Sequence, residues 1–191
     1  MRAVVRRNKQ LVCDEIGELE PAQGQVLVKT LACGICGSDL HALRHMEHMI
    51  ELGRRGGDGD NGFDPTADTV FGHEFCAEIL DHGPGSSKAL KAGTRVVSVP
   101  ATLTAGGMEL LGFSNRLPGG FAERMLLSEA LVLAVPNGLA TEHAALTEPF
   151  AVGFHAVAKA RMDGKSVALV VGCGLVGLAV IAALKAQGHG P

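Results

Sequence analysis

Four residues able to do chemistry fall within the six-residue stretch Cys36-Gly37-Ser38-Asp39-Leu40-His41, directly after an apolar run. A thiol, a hydroxyl, a carboxylate and an imidazole this close together suit metal ligation and proton transfer. Gly72-His73-Glu74 opens a second apolar run, and Glu148 stands before Pro149 where a helix should begin. One thiolate (Cys36), one imidazole (His73) and one carboxylate (Glu148) are borderline donors that suit Zn²⁺. Three protein ligands with an open fourth position is the catalytic arrangement, in contrast to the closed structural one.

Each of these residues has a plainer alternative. Cys33-Gly34-Ile35-Cys36 is a C-x-x-C that could form half of a structural zinc site or a redox pair. The sequence holds no second C-x-x-C to complete a four-thiolate site, so Cys36 is taken as the ligand and Cys33 as a small packed residue. An acid such as Glu148 at a helix N-terminus is favoured by the macrodipole without any metal. His41, His45 and His48 share a helical face, which for His45 and His48 reads as a solvated surface. Asp58, Asp60 and Asp64 do not make a calcium loop, because Gly62 occupies a ligand position and no bidentate Glu follows at the required offset.

The elements that must position these groups are of two kinds. Strand patterns run over Arg2 to Arg6, Leu11 to Ile16 and Gln25 to Ala32, with a turn at Arg7-Asn8-Lys9-Gln10. A short helix is expected from Cys36 to His45, followed by a Gly- and Asp-rich surface insertion, expected to be mobile, from Gly53 to Asp68. Further β runs at Phe75 to Leu80, Thr94 to Val99, Gly120 to Leu127 and Leu131 to Val135 have the spacing of a compact barrel. From Thr141 the pattern changes to helix, with a second helix from Glu148 to Arg161. Ser166 to Val171 reads as a parallel strand buried on both faces, and Gly172-Cys173-Gly174-Leu175-Val176-Gly177 leads from it into a helix over Leu178 to Ala186.

A G-x-G-x-x-G between a strand and a helix is a dinucleotide fingerprint. Its first glycine permits the tight turn, its second the approach of a pyrophosphate, and its third close helix–strand packing. The acid that would hold the ribose is expected about 20 residues past the glycines, and only 14 residues follow Gly177, so the nucleotide-binding domain is expected to be truncated. The competing reading of Val167 to Leu184, an uncharged run of 18 residues, is a membrane span.

Across all 191 residues, 47% are hydrophobic and 19% charged, and the formal net charge is −3, which is the composition of a globular protein. With no Trp or Tyr and no cationic excess, the chain offers nucleic acid neither a charged track nor stacking platforms. The five cysteines are odd in number and scattered, and no charged n-region with an apolar stretch opens the chain, which points to a reducing cytoplasm.

Taken together, these residues resemble the zinc-dependent medium-chain alcohol dehydrogenases. The likeness rests on Cys33 to His41, Gly72-His73-Glu74, Gly119-Gly120-Phe121-Ala122-Glu123, Glu148-Pro149-Phe150-Ala151-Val152-Gly153 and the glycine fingerprint. It implies a mixed α+β chain, with a GroES-like β-barrel catalytic domain over 1–148. A linking helix and the first strand-turn-helix of a Rossmann domain would follow over 149–191. By the same likeness Cys36, His73 and Glu148 are zinc ligands, Glu74 is an acid able to approach the metal, and Asp39 orients the ligand histidine. Ser38 and His41 would form the proton relay, while Gly172, Gly174, Leu175, Val176, Gly177 and Val152 would contact NAD or NADP. The implied reaction is hydride transfer between an alcohol or carbonyl compound and NAD(P), in a protein that is a homo-oligomer at full length. The truncated chain itself is expected to be inactive. Many members carry a four-cysteine zinc lobe where Pro100 to Leu117 here holds no cysteine, so a single zinc is expected. The Gly53 to Asp68 segment is longer than usual for the family. Two rivals are a non-catalytic zinc-binding GroES-like module, associated with a membrane through 167–184, and a metal-free reductase of the same fold.

Overall fold

The computed structural model describes residues 1–56, 63–104, 106–163 and 165–189. Asp58, Asp60 and Gly62, and with them the middle of the expected insertion, lie outside the described residues. The elements in chain order are β1 (Arg2–Arg7), β2 (Gln10–Glu15), β3 (Gln25–Cys33), α1 (Gly37–Gly56), β4 (Phe75–His82), β5 (Arg95–Ser98), β6 (Ala101–Thr104) and β7 (Gly107–Leu110). They continue with β8 (Arg124–Ser128), β9 (Val132–Ala134), α2 (Thr141–Ala144), α3 (Thr147–Ala160) and α4 (Leu175–Ala186). The chain divides into two compact units, Met1–Ala145 and Leu146–Pro191.

The centre of the first unit is a five-stranded antiparallel sheet of order β8-β3-β4-β5-β9. Alternating residues of its strands, among them Val26, Val28, Ala77, Ile79, Val96, Met125 and Leu127, form the main core. Full burial of each large aliphatic among these contributes about 1.5–3 kcal/mol. The β1–β2 hairpin closes through Asn8 and Lys9, both at positive φ, the backbone that matches strand twist in a two-residue loop. Single bridges from Ala3 to Ala122 and from Arg6 to Thr69 tie that hairpin to the rest of the unit.

Three expectations need correction here. The first helix does not stop at His45: it bends there (φ −127, ψ 29) and continues to Gly56. Ala42 and Met46 are buried beside Phe71, with Met49, Ile50 and Phe63 packed on the same cluster, so an apolar stripe at helical spacing carries α1 past the histidine-rich face. The Gly53 to Asp68 segment is also less loose than expected where it is described. Asp64 Oδ1 accepts from the Thr66 amide at 2.8 Å, the Asp64 amide donates to Asn115 Oδ1 at 2.8 Å, and Asp68 pairs with Arg7 at 2.6 Å. Between Pro100 and Leu117, where no strand was expected, β6 and β7 form a hairpin of their own.

In the second unit, α3 starts at Thr147, and Pro149 sits in its first turn, where a missing amide costs nothing. Val157 of α3 packs with Ala183 and Leu184 of α4. Residues 166–171 correct a further expectation. They have no strand partner among the described residues, and Val167, Leu169 and Val171 are 96%, 87% and 90% exposed. Burial on two faces needs neighbouring strands, and the described residues supply none. The run Val167 to Leu184 is thus split between this segment and the 12-residue α4. No helix of the described residues is long and apolar enough to cross a membrane.

Candidate metal centre

Pairing of β3 with β4 brings the distant ligand segments together. The antiparallel register matches Cys33 with Phe75, so the chain leaving β3 runs beside the chain entering β4. The Gly34 amide donates to the Glu74 carbonyl at 2.7 Å and fixes that alignment one step beyond the sheet. In consequence Cys36, His73 and Glu74 each offer a donor atom within 4.8 Å of the other two, the scale of ligands that share one ion. Gly72 makes the approach possible, because its φ is +102° and an added Cβ would sit 2.8 Å from the Phe121 amide nitrogen and 2.9 Å from Cys33 Sγ. The Gly119-Gly120-Phe121 segment braces the same loop, its amides donating to the carbonyls of Val70, Gly72 and Phe71 at 2.9, 2.7 and 3.0 Å.

Asp39 ties two of these groups together. Cys36 precedes α1, and its carbonyl accepts from the Asp39 amide at 3.1 Å, while Asp39 Oδ2 accepts from the Cys36 amide at 2.9 Å, the reciprocal logic of a capping box. The other carboxylate oxygen, Oδ1, faces His73 Nδ1 at 3.3 Å. Both atoms are buried, and neither has an aligned hydrogen bond, to the other or to any other described residue, so the pair is an ion-pair contact. With Nδ1 held by Asp39, Nε2 is the nitrogen left for a metal, the usual device for fixing a ligand imidazole. Burial pulls His73 toward its neutral form, but Asp39, and after it Cys36, outweigh that and raise its pKa to about 9. The donor set and this oriented imidazole fit a zinc ion.

Cys33 behaves differently. Burial, followed by the charge of Asp39, pushes its thiol up to about 12, so it stays protonated. Its sulfur fills the space that a Cβ on Gly120 would occupy, 2.5 Å away. It is a packed thiol, and it takes no part in the ligand cluster.

The remaining candidates fall as follows. Ser38 is half-buried and His41 exposed, both near the start of α1, and the His41 ring lies 5.0 Å from that of His45. Glu148 is half-buried in the first turn of α3, in the second unit. Gly172 has φ +100°, a Cβ on Gly174 would meet nothing, and a Cβ on Gly177 would lie 2.0 Å from the Gly172 carbonyl oxygen. Leu175, Val176 and Val152 are 38%, 42% and 43% exposed. The ring of Phe113 lies 5.8 Å from that of His73 and 5.9 Å from that of Phe71. No spacing rule points to it, because it arrives from the loop after β7.

A barrel-like antiparallel unit with a Cys-His-Glu cluster, followed by a glycine fingerprint, is an arrangement that comparison with known proteins places in a family. The model of the alcohol dehydrogenase GroES-like domain matches residues 22–137, and the chain belongs to the zinc-dependent medium-chain alcohol dehydrogenase family. (R,R)-butanediol dehydrogenase of Bacillus subtilis (strain 168) is 36% identical over 188 residues, covering 94% of this chain and 53% of that protein. The crystal structure of 2R,3R-butanediol dehydrogenase from Bacillus subtilis superposes with a TM-score of 0.77 at 34% identity, covering 97% of this chain and 55% of that one. Sorbitol dehydrogenase of the same strain is 32% identical over 201 residues, covering 98% of this chain and 53% of that protein. A protein from Sinorhizobium meliloti 1021, described as a zinc-binding dehydrogenase and bound to NADP, superposes with a TM-score of 0.76 at 25% identity, covering 97% and 53%. The chain spans about half the length of the curated relatives it matches.

Proposed function

We propose that this chain carries the zinc-binding catalytic unit, and the opening phosphate-binding turn, of an NAD(P)-linked dehydrogenase that interconverts small alcohols and their carbonyl counterparts. The convergence of Cys36, His73 and Glu74 over the buried Asp39 carries the proposal. Family membership and relatives named for butanediol and sorbitol support the reaction class. A metal-free reductase of the same fold would have no use for that convergence.

Cys36, His73 and Glu74 would hold one zinc ion, and the bound ion would supply Lewis acidity that makes an alcohol hydroxyl easier to deprotonate. Asp39 holds the His73 ring in its ligating tautomer and keeps the Cys36 backbone in register with it. The Ser38 hydroxyl can both accept and donate a proton, and His41, exposed near the start of α1, hands that proton to water. The turn from Gly172 to Gly177 leaves its backbone open to a pyrophosphate at the start of α4, with Val152 as a further contact to the cofactor. The cysteine-free β6–β7 hairpin between Pro100 and Leu117 supports a single zinc with no structural partner.

Metal analysis of the purified chain tests this. About one zinc per chain is expected for the unaltered protein, and less than about a tenth of that for Cys36→Ser or His73→Ala. Zinc retained at full stoichiometry by both variants would refute the assignment.

A further inference from the structure

The polar face of α1 carries a second group of donors that the Cys36 cluster does not use. His41 and His45 stand four residues apart, and side chains at that spacing on a helix lie one above the other. Both are exposed. Their ring centroids are 5.0 Å apart and the ring planes are tilted by 43°. Among the described residues neither imidazole has a hydrogen bond or an ion pair, so its nitrogens are open to a ligand.

That separation is the one a shared ion requires. A coordinating imidazole nitrogen lies about 2.0–2.1 Å from the metal, which puts its ring centroid about 3.2 Å away, and coordination angles of about 90–109° then set two such centroids about 4.5–5.2 Å apart. The observed 5.0 Å falls inside that interval. Two imidazoles at i and i+4 on one helical face are also the chelate by which an H-E-x-x-H helix holds its metal. The helix bends at His45, although Leu43 to Glu47 contains neither Pro nor Gly, the usual causes of a bend, and an ion held by both rings would span it. His48 lies seven residues from His41, about 10 Å along a helix axis, too far to share an ion with it. The one set of three converging donors among the described residues is Cys36, His73 and Glu74, so the histidine pair is a two-donor site completed by water.

We propose that His41 and His45 form a second metal site, separate from the Cys36 cluster, that takes a divalent ion of the nickel, copper or zinc kind. Imidazole nitrogens suit these ions, and an exposed pair of donors should hold nickel with a Kd on the order of 10 µM, weak enough to be lost on dialysis. A ring nitrogen that holds an ion cannot also take a proton, so a filled site closes the exit to water through His41. That consequence rests on the dehydrogenase reading, whereas the site itself does not.

Calorimetric titration of the zinc-loaded chain with nickel(II) tests the proposal. About one equivalent of nickel should bind, its paramagnetism should broaden the ring-proton NMR signals of His41 and His45 before those of the other histidines, and amide hydrogen exchange over 42–48 should slow as the bend is clamped. His45→Ala should weaken nickel at least about tenfold and His48→Ala by less than about twofold, with the zinc content unchanged in both. Should His45→Ala disturb the bend, His45→Gln keeps a polar side chain of similar size and should weaken nickel by the same factor. Nickel affinity unchanged in a folded His45→Gln, or an equal loss in His48→Ala, overturns the proposal. If the unaltered chain proves to hold no zinc while its nickel binding still depends on His45, the zinc assignment falls and the second site stands.

Discussion

Asp39→Asn should remove a pH-dependent part of the stability of the metal-free chain. His73 is raised from 6.5 to about 9 in the folded protein, so the folded state holds that proton more tightly than the unfolded state does. The stabilisation is therefore full below pH 6.5 and is lost as the pH rises through 9. A shift of this size corresponds to about 3 kcal/mol, and the His73 side chain, 12% exposed, is little screened by water. Asp39 is the leading favourable influence on His73 and Cys36 the next, so this near-isosteric, charge-removing substitution should cost about 2 kcal/mol at pH 6. At pH 9.5 His73 is mostly neutral in both proteins. Asparagine still accepts from the Cys36 amide, and the native carboxylate is by then a buried charge without a cation, so the difference should fall below about 1 kcal/mol or change sign. Urea unfolding followed by far-ultraviolet circular dichroism, with EDTA present at both pH values, measures this directly. A stability difference that is the same at pH 6 and pH 9.5 would refute the coupling between Asp39 and His73.

Three further outcomes follow from the packing. Because Cys33 is protonated and wedged against Gly72 and Gly120, Cys33→Ala should keep the zinc, and thiol labelling of the native chain at pH 8 should reach exposed Cys13 and Cys173 well before Cys33 or Cys76. Gly34→Ala would place a Cβ 2.3 Å from Glu74 Oε2. A carboxylate can swing aside, so calorimetric zinc titration should show about a tenfold weaker affinity while stability changes by less than about 1 kcal/mol. Gly177→Ala would drive a Cβ into the Gly172 carbonyl, where no flexible atom can yield, and hydrogen exchange over 175–186 should become faster.

The parts of this structure legible in the sequence were those fixed by local chemistry. Strand alternation and the Asn8-Lys9 turn gave the first hairpin, and the pairing of Cys36 with His73 followed from residue types placed just outside strand ends. Less legible were features that depend on neighbours. Ser166 to Val171 has the composition of a doubly buried strand, but burial belongs to the surrounding sheet and cannot be carried by the segment itself. The β6–β7 hairpin was missed because its strands are four residues each and leave Leu103, Met108 and Leu110 exposed, which blurs any alternation. Its one local signal, Gly106-Gly107 between β-prone runs, was available. In α1 the three histidines drew attention to the polar face, whereas the length of the helix is set by Ala42, Met46, Met49 and Ile50 on the other.

Glu74 shows how the two levels meet. From the sequence it was the companion of a ligand histidine, with Glu148 as the carboxylate donor, and in the fold it joins Cys36 and His73 directly. A metal-free cluster of a thiol, an imidazole and two buried carboxylates would repel itself if every acid were ionised and the imidazole neutral. The His73 proton resolves this, because the imidazolium stands beside Asp39 and close to Cys36, and it is present up to about pH 9. A metal ion would bring the same sign of charge to the opposite side of the same ring, so binding exchanges a proton for a cation with little rearrangement of the groups around it. Asp39 is neutralised in either state, and this is why a carboxylate 2% exposed can persist at the base of the site. The affinity for zinc should fall by at least about tenfold for each pH unit below 9, because the His73 proton competes for the imidazole and Cys36 must also bind as its thiolate.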